Sequence, residues 1–203
     1  MQDLFLNETF TGPEFSPRLR WLNRPSYWRL DASSSRLIVQ PDAGTDFWQR
    51  THYGFRFDNG HFLFAEIPGD FVITALVHAF PAHQYDQAGL MVRLSADCWL
   101  KTSVEFEPAG PSQLGVVVTN EGYSDWSMQD FPSGTGVGYC LRVRRTGQDF
   151  LVEYSADLDG PWHLLRVAHL FAKPGQLCAG FYACSPKGPG FRAEASLLRI
   201  EIP

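Results

Sequence analysis

Short runs of alternating apolar and polar residues, punctuated by Gly, Pro, Asn and Asp, recur along the whole chain, and no segment of helical length sustains a 3.6-residue apolar period. That pattern confines the chain to all-β architectures. Strands are expected near Tyr27–Leu30, Leu37–Gln40, Gly54–Asp58, Phe71–Phe80, Ala88–Ser95, Leu100–Glu107, Leu114–Thr119, Gly138–Arg145, Asp149–Ser155, His163–His169, Gln176–Cys184 and Arg192–Ile202. Between them, Asp58-Asn59-Gly60, Pro108-Ala109-Gly110-Pro111, Arg145-Thr146-Gly147 and the Asp-rich stretch Ser155–Trp162 read as turns, most of them hairpins. A short helix is expected around Leu170–Lys173. A single sheet built from 203 residues would leave one apolar face bare, so two stacked antiparallel sheets in a jelly-roll sandwich are the economical solution. No blade repeat, linker or composition shift divides the chain, and residues 1–203 are read as one domain. Alternation assigns Leu90, Val92, Leu100, Val104, Phe106, Val116, Val118, Phe150, Val152, Phe181 and Leu198 to the core.

Composition narrows the partners. An apolar fraction of 44% with 14% aromatic residues is ample for a packed core and excludes disorder, while 19% charged residues falls below the usual level of about 25%. The formal net charge of -5 offers no long-range attraction to phosphates, and Arg142, Arg144 and Arg145 are too few to reverse it, so nucleic acid is not an expected partner. The start MQDLFLNETF lacks a basic segment followed by an apolar stretch, and the most apolar run, Phe71–Phe80, is about half a membrane span. A soluble cytoplasmic protein without a membrane segment is the expectation. Cys178 and Cys184 share one expected strand and would lie roughly 20 Å apart at about 3.3 Å per residue, too far to bridge each other. With Cys98 and Cys140 they are read as buried free thiols.

The densest chemistry lies between Tyr85 and Ser127. On the strand from Trp99, alternation sends Trp99, Lys101, Ser103 and Glu105 to one face and Leu100, Thr102, Val104 and Phe106 to the other. The preceding strand splits likewise, with Gln87, Gly89, Met91 and Arg93 opposite the apolar set. If the two strands pair as a hairpin, Lys101 and Glu105 meet Arg93, Met91 and Gln87 in a charged, amide-bearing platform with an indole at its margin.

Asn23-Arg24-Pro25, Thr45-Asp46-Phe47-Trp48, Tyr85-Asp86-Gln87-Ala88-Gly89-Leu90, Trp99-Leu100-Lys101, Glu105, Val117-Val118-Thr119 and Ser124-Asp125-Trp126-Ser127 occur in that order along the chain. In this combination the chain resembles the regulation-of-enolase protein family, largely catalogued as a domain of unknown function. The resemblance implies a concanavalin A-like lectin/glucanase sandwich, related to the accessory β-domain of some β-xylosidases, and implies no established reaction. On that resemblance Asp46, Trp48, Asp86, Gln87, Trp99, Lys101, Glu105, Thr119, Asp125 and Trp126 are the candidate ligand-binding residues. Trp48 and Trp126 offer flat apolar faces to pyranose C–H surfaces, while the carboxylates, amide and ammonium can bond hydroxyls.

A non-catalytic carbohydrate-binding or sugar-responsive regulatory domain is the leading expectation. The first alternative is a glycoside hydrolase using Glu105 with Asp86 or Asp125. Such chemistry needs two carboxyl groups about 5–5.5 Å apart for retention or about 6.5–9.5 Å for inversion, one of them protonated near neutral pH. The ExDxxE strand of many glucanases is missing, since Glu105-Phe106-Glu107 supplies two acids with no third in line. The second alternative is a protein-interaction module that regulates a metabolic enzyme. The six histidines form no HExxH helix, and Gly134-Thr135-Gly136-Val137-Gly138 lacks the Lys-Ser/Thr ending of a phosphate cradle, so no metal or cofactor is expected.

Overall fold

A computed structural model of the protein describes residues 3–132, 135–171 and 175–203. In chain order its strands are β1 (Asp3–Glu8), β2 (Arg20–Leu22), β3 (Tyr27–Asp31), β4 (Arg36–Gln40), β5 (Phe47–Gln49), β6 (Arg56–Asp58), β7 (His61–Ile67), β8 (Phe71–Phe80) and β9 (Gln87–Ser95). They continue as β10 (Cys98–Glu105), β11 (Ser112–Asn120), β12 (Tyr123–Phe131), β13 (Gly138–Thr146), β14 (Asp149–Ser155), β15 (His163–His169), β16 (Leu177–Cys184) and β17 (Arg192–Ile202). No helix occurs among the described residues. The helix expected at Leu170–Lys173 falls partly outside them, and Gly134 lies outside them altogether.

Two antiparallel sheets stack into a concanavalin A-like jelly-roll sandwich. One runs β15-β14-β13-β8-β17-β4-β3, with β1 added along β17, and the other runs β12-β11-β10-β9-β16-β7-β2. The long β17 pairs with β4 at its start and with β1 at its end, and its register against β8 shifts between Ala195 and Leu197. Between the sheets lies the main apolar core, which contains Leu90, Val92, Leu100, Val104, Val116, Val118, Phe150, Val152, Phe181 and Leu198, as alternation requires. Phe106 departs from the expectation: β10 ends at Glu105, and Phe106 is only half-buried beyond the strand end. There its backbone bonds the next loop, accepting from Tyr85 N and donating to Asp86 O.

Cys178 and Cys184 sit on β16 as free thiols, as do Cys98 and Cys140 elsewhere. The Asp-rich turn closes on itself, with Asp159 N donating to Asp157 Oδ1 at 3.0 Å. Asp58-Asn59-Gly60 is not a hairpin turn, because β6 pairs with β5 whereas β7 enters the seven-stranded sheet.

The seven-stranded sheet is buried on both faces at its centre. Every residue of β10 from Cys98 to Val104 is buried, although its sequence alternates in polarity. The cause is the β5–β6 hairpin, which lies across the outer face and forms a second apolar cluster with it: Phe47 and Trp48 meet Phe62, Phe64, Met91, Trp99, Val117 and Tyr182. The Phe47 ring meets Tyr182 edge-on at 6.2 Å and Trp99 at 6.3 Å.

Phe181→Ala, in the inter-sheet core, is expected to cost about 3–5 kcal/mol in urea unfolding, and Phe106→Ala clearly less because that residue stays partly in water. Equal losses would show that Phe106 packs as a core residue.

Candidate functional site

Strand register assembles the site in rows. Across the outer face of the seven-stranded sheet, Trp126, Val117, Lys101, Met91 and Gly180 lie side by side. The next row holds Gly115, Ser103, Gly89 and Tyr182, and the third Gln113, Glu105, Gln87 and Cys184. The middle row is small where it crosses β11, β10 and β9, so the sheet surface is hollow there. Gly115 also makes room for an indole, since a Cβ at that position would meet Trp126 Nε1 at 2.6 Å.

Above the hollow opens a cleft of about 340 Å³. Its floor carries Asp46, Gln87, Lys101 and Glu105; Trp48, Tyr53, Phe55 and Phe57 line it from the β5–β6 hairpin, with Trp126, Tyr85 and Lys187 completing the walls. The hairpin's aromatic residues support one another: Tyr53 stacks on Phe55 at 5.4 Å, Phe55 meets Phe57 edge-on at 5.3 Å, and Trp48 meets Tyr53 at 5.4 Å. Tyr53, Phe55 and Phe57 are exposed.

The polar floor is one connected chain. Lys101 Nζ donates to Asp46 Oδ1 at 3.2 Å and to Gln87 Oε1 at 2.9 Å, and Gln87 Nε2 donates to Glu105 Oε2 at 2.8 Å. Tyr182 supports it from beneath, its hydroxyl lying 3.0 Å from Gln87 Oε1 and 2.8 Å from Ser103 Oγ. Burial pushes the Glu105 carboxyl up to about 8; Lys101 opposes this, while Asp46 and Glu107 add to it. The Asp46–Lys101 pair already balances the ammonium, which leaves Glu105 with little cationic compensation.

The hairpin that supplies Asp46 and the aromatic wall is pinned at both ends. Arg93 grips Asp58 through two bonds of 2.7 and 2.8 Å. Gln49 N donates to Ser124 Oγ at 2.9 Å, and Ser124 Oγ in turn lies 2.7 Å from Thr119 Oγ1.

A family model described as "Protein of unknown function (DUF1349)" matches residues 21–203. The chain belongs to this family. It is also 33% identical over 183 residues to "Regulation of enolase protein 1" of Saccharomyces cerevisiae, covering 90% of this chain and 89% of that protein. Among solved structures it is similar to a functionally unknown protein from Saccharomyces cerevisiae, with a TM-score of 0.83 and 32% identity over 92% of this chain and 97% of that one. It also matches a mutant of the GH43 protein BlXynB from Bacillus licheniformis, with a TM-score of 0.78 and 15% identity, over 97% of this chain but 39% of that one. A β-1,3-glucanase from Mycobacterium marinum aligns over 98% of both chains, with a TM-score of 0.61 and 11% identity. At those identities the two carbohydrate-active structures share the fold alone.

Within this DUF1349 fold, Asp46, Trp48, Gln87, Lys101, Glu105 and Trp126 line the cleft together. The other four candidates lie elsewhere. Trp99 is fully buried under the hairpin, its Nε1 donating to Ala96 O at 3.0 Å. Thr119 is fully buried as part of the hairpin latch. Asp125 follows the opposite alternation from Trp126, so it projects from the other face and pairs with Arg166 at 3.1 Å. Asp86 is buried in the loop before β9, where Oδ2 accepts from Ala82 N and His83 N at 2.8 Å each and Oδ1 accepts from Ser185 Oγ at 2.5 Å. Neither of the expected carboxylate partners of Glu105 therefore faces the cleft; Asp46 does. Lys101 is 4% exposed and bonds Asp46 and Gln87 rather than Glu105.

The residues that alternation could have revealed are Tyr53, Phe55 and Phe57, three aromatics at period 2 in THYGFRFD. Tyr85 and Lys187 carried no comparable signal: Lys187 reaches the cleft from the loop before β17, with Nζ 5.3 Å from the Tyr85 ring centroid.

The folded state holds a proton on Glu105 where the unfolded chain, with a carboxyl near 4.5, does not. Its stabilising contribution is therefore complete below about pH 4.5 and is lost as pH rises toward about 8. Wild-type stability measured by urea denaturation is expected to decline across that window, and Glu105→Gln, a neutral isostere, to decline less. Parallel pH profiles for the two proteins would contradict the assignment.

Proposed function

We propose that this chain acts as one domain that binds carbohydrate without transforming it. The observation that carries the reading is the cleft itself, in which aromatic side chains from the hairpin and Trp126 surround a hydrogen-bonded polar floor. Rings match the C–H faces of sugars, and the carboxyl and ammonium groups match their hydroxyls. The likeness in fold to a GH43 protein and a β-1,3-glucanase is consistent with this reading. We place the protein in the cytoplasm, a compartment that suits four unbridged cysteines. Among the described residues no helix is long and apolar enough to cross a membrane.

Glu105 favours a second reading, glycoside hydrolysis, since a carboxyl raised to about 8 is suited to general acid work. The other carboxylate would be Asp46, whose ion pair with Lys101 holds it on the floor. The name of the yeast relative motivates a third reading, in which the exposed aromatic rim of Tyr53, Phe55 and Phe57 meets a metabolic enzyme.

Calorimetric titration after a glycan-array screen separates these readings. Wild type is expected to bind a neutral glycan without turnover, and Trp126→Ala to weaken that binding at least about tenfold, roughly 1.4 kcal/mol, with the fold retained. Turnover that disappears in Glu105→Gln would install the hydrolase reading. A screen without a binding glycan, together with capture of enolase that is lost on replacing Phe55 and Phe57 by Ser, would install the partner reading.

A further inference from the structure

The internal hydrogen bonds of the floor determine what it can offer a sugar. Lys101 Nζ can only donate, so Gln87 must turn Oε1 toward it and Nε2 toward Glu105. Oε1 also lies 3.0 Å from the Tyr182 hydroxyl, and Nε2 also donates to the Tyr85 carbonyl at 3.2 Å. The amide has then used two donors and two acceptor sites within the protein. Gln87 lines the cleft as a positioning residue with no hydrogen bond left to give.

Two carboxyl oxygens remain open. Asp46 Oδ1 accepts from Lys101 Nζ and from Phe47 N, the latter at 2.7 Å, whereas Oδ2 has no partner among the described residues. Glu105 Oε2 must be an acceptor, because it faces the Gln87 Nε2 donor, and Oε1 has no partner among the described residues. The charged and titratable groups around Glu105 are Lys101 and Glu107 from its own strand and its extension, Asp46 ahead of β5, Tyr85 ahead of β9, Tyr182 and Cys184 on β16, and Lys187 at the rim. Lys101 is the cation of this group that touches the floor chain, and its bonds go to Asp46 and Gln87 rather than to Glu105.

Building on the carbohydrate reading, we propose that Glu105 Oε1 is a hydrogen-bond donor to a ring or glycosidic oxygen of a neutral sugar, while Asp46 Oδ2 accepts from a neighbouring hydroxyl. The cleft would thus read two different oxygens of one sugar, one that carries a proton and one that does not. A donor at Glu105 agrees with the elevated titration of that carboxyl, near 8.

The test uses intact wild-type protein and Glu105→Gln, with xylotriose and laminaritriose as probes in calorimetry from pH 6 to pH 9.5. Independently, the Glu105 carboxyl of the free protein is titrated by carbon-13 NMR and assigned by its loss in Glu105→Gln. The carboxyl midpoint is expected near 8, and wild-type affinity is expected to fall about tenfold between pH 7 and pH 9 as the donor is lost. Glu105→Gln, whose amide can both donate to the sugar and accept from Gln87 at every pH, is expected to lose the pH dependence, its affinity at pH 9 matching its own affinity at pH 7. A midpoint near 4.5, a flat wild-type profile, or a pH dependence that survives in Glu105→Gln overturns the donor role while carbohydrate binding stands. Failure of wild type to bind either trisaccharide at any pH, with the carboxyl midpoint still near 8, overturns the carbohydrate reading and this role with it.

Discussion

Lys101 carries a charge into a nearly closed space, and much of the molecule's local design follows from that. The residue is 4% exposed, and removing an ammonium from water costs several kcal/mol unless partners replace the lost solvent. Gln87, the neighbour on β9, supplies one acceptor. The balancing charge comes from Asp46, which enters from above, just ahead of the β5–β6 hairpin. Floor and cover therefore depend on each other: the sheet can bury its lysine only when the hairpin is seated, and the seated hairpin turns an open sheet face into a cleft.

Seating the hairpin draws on several kinds of interaction. Arg93 and Asp58 make a bidentate pair in which both carboxylate oxygens are engaged, and the planar guanidinium fixes orientation as well as distance. Phe47 is driven into the second apolar cluster and is fully buried. The Thr119–Ser124–Gln49 latch ties the hairpin to β11 and the start of β12. Thr119 and Trp99 thus support the cleft from beneath without lining it.

The opposite wall is held under backbone strain. Tyr85 adopts φ 72°, in the left-handed region that bulky residues rarely enter, a conformation that costs of order 1–3 kcal/mol. Its own N–H donates to Phe106 O, and its carbonyl accepts from Gln87. Next to it, Asp86 gathers two backbone N–H groups and the Ser185 hydroxyl. These bonds offset the strain and aim the ring at the cleft beside Lys187. Asp86 thereby serves the cleft by shaping its wall.

Local periodicity was enough to determine the β class, twelve of the strands, the core face of each major strand and the shared face on which Lys101 and Glu105 lie opposite Met91 and Gln87, because a period of two is written into successive residues. The order of short motifs determined the family. The same periodicity also separates Asp125 from Trp126, since adjacent strand residues point to opposite faces. Five strands were not legible: β1, β2, β5, β7 and β12 are short, lack clean alternation, or, like β7, are buried on both faces. Tertiary structure alone decided that the polar platform is roofed rather than solvated, because the hairpin that covers it lies more than forty residues away in sequence from Lys101 and Glu105. From that covering follow the burial of Lys101, the choice of Asp46 as its counter-charge and the elevated Glu105 carboxyl, all of which depend on desolvation that no local pattern records.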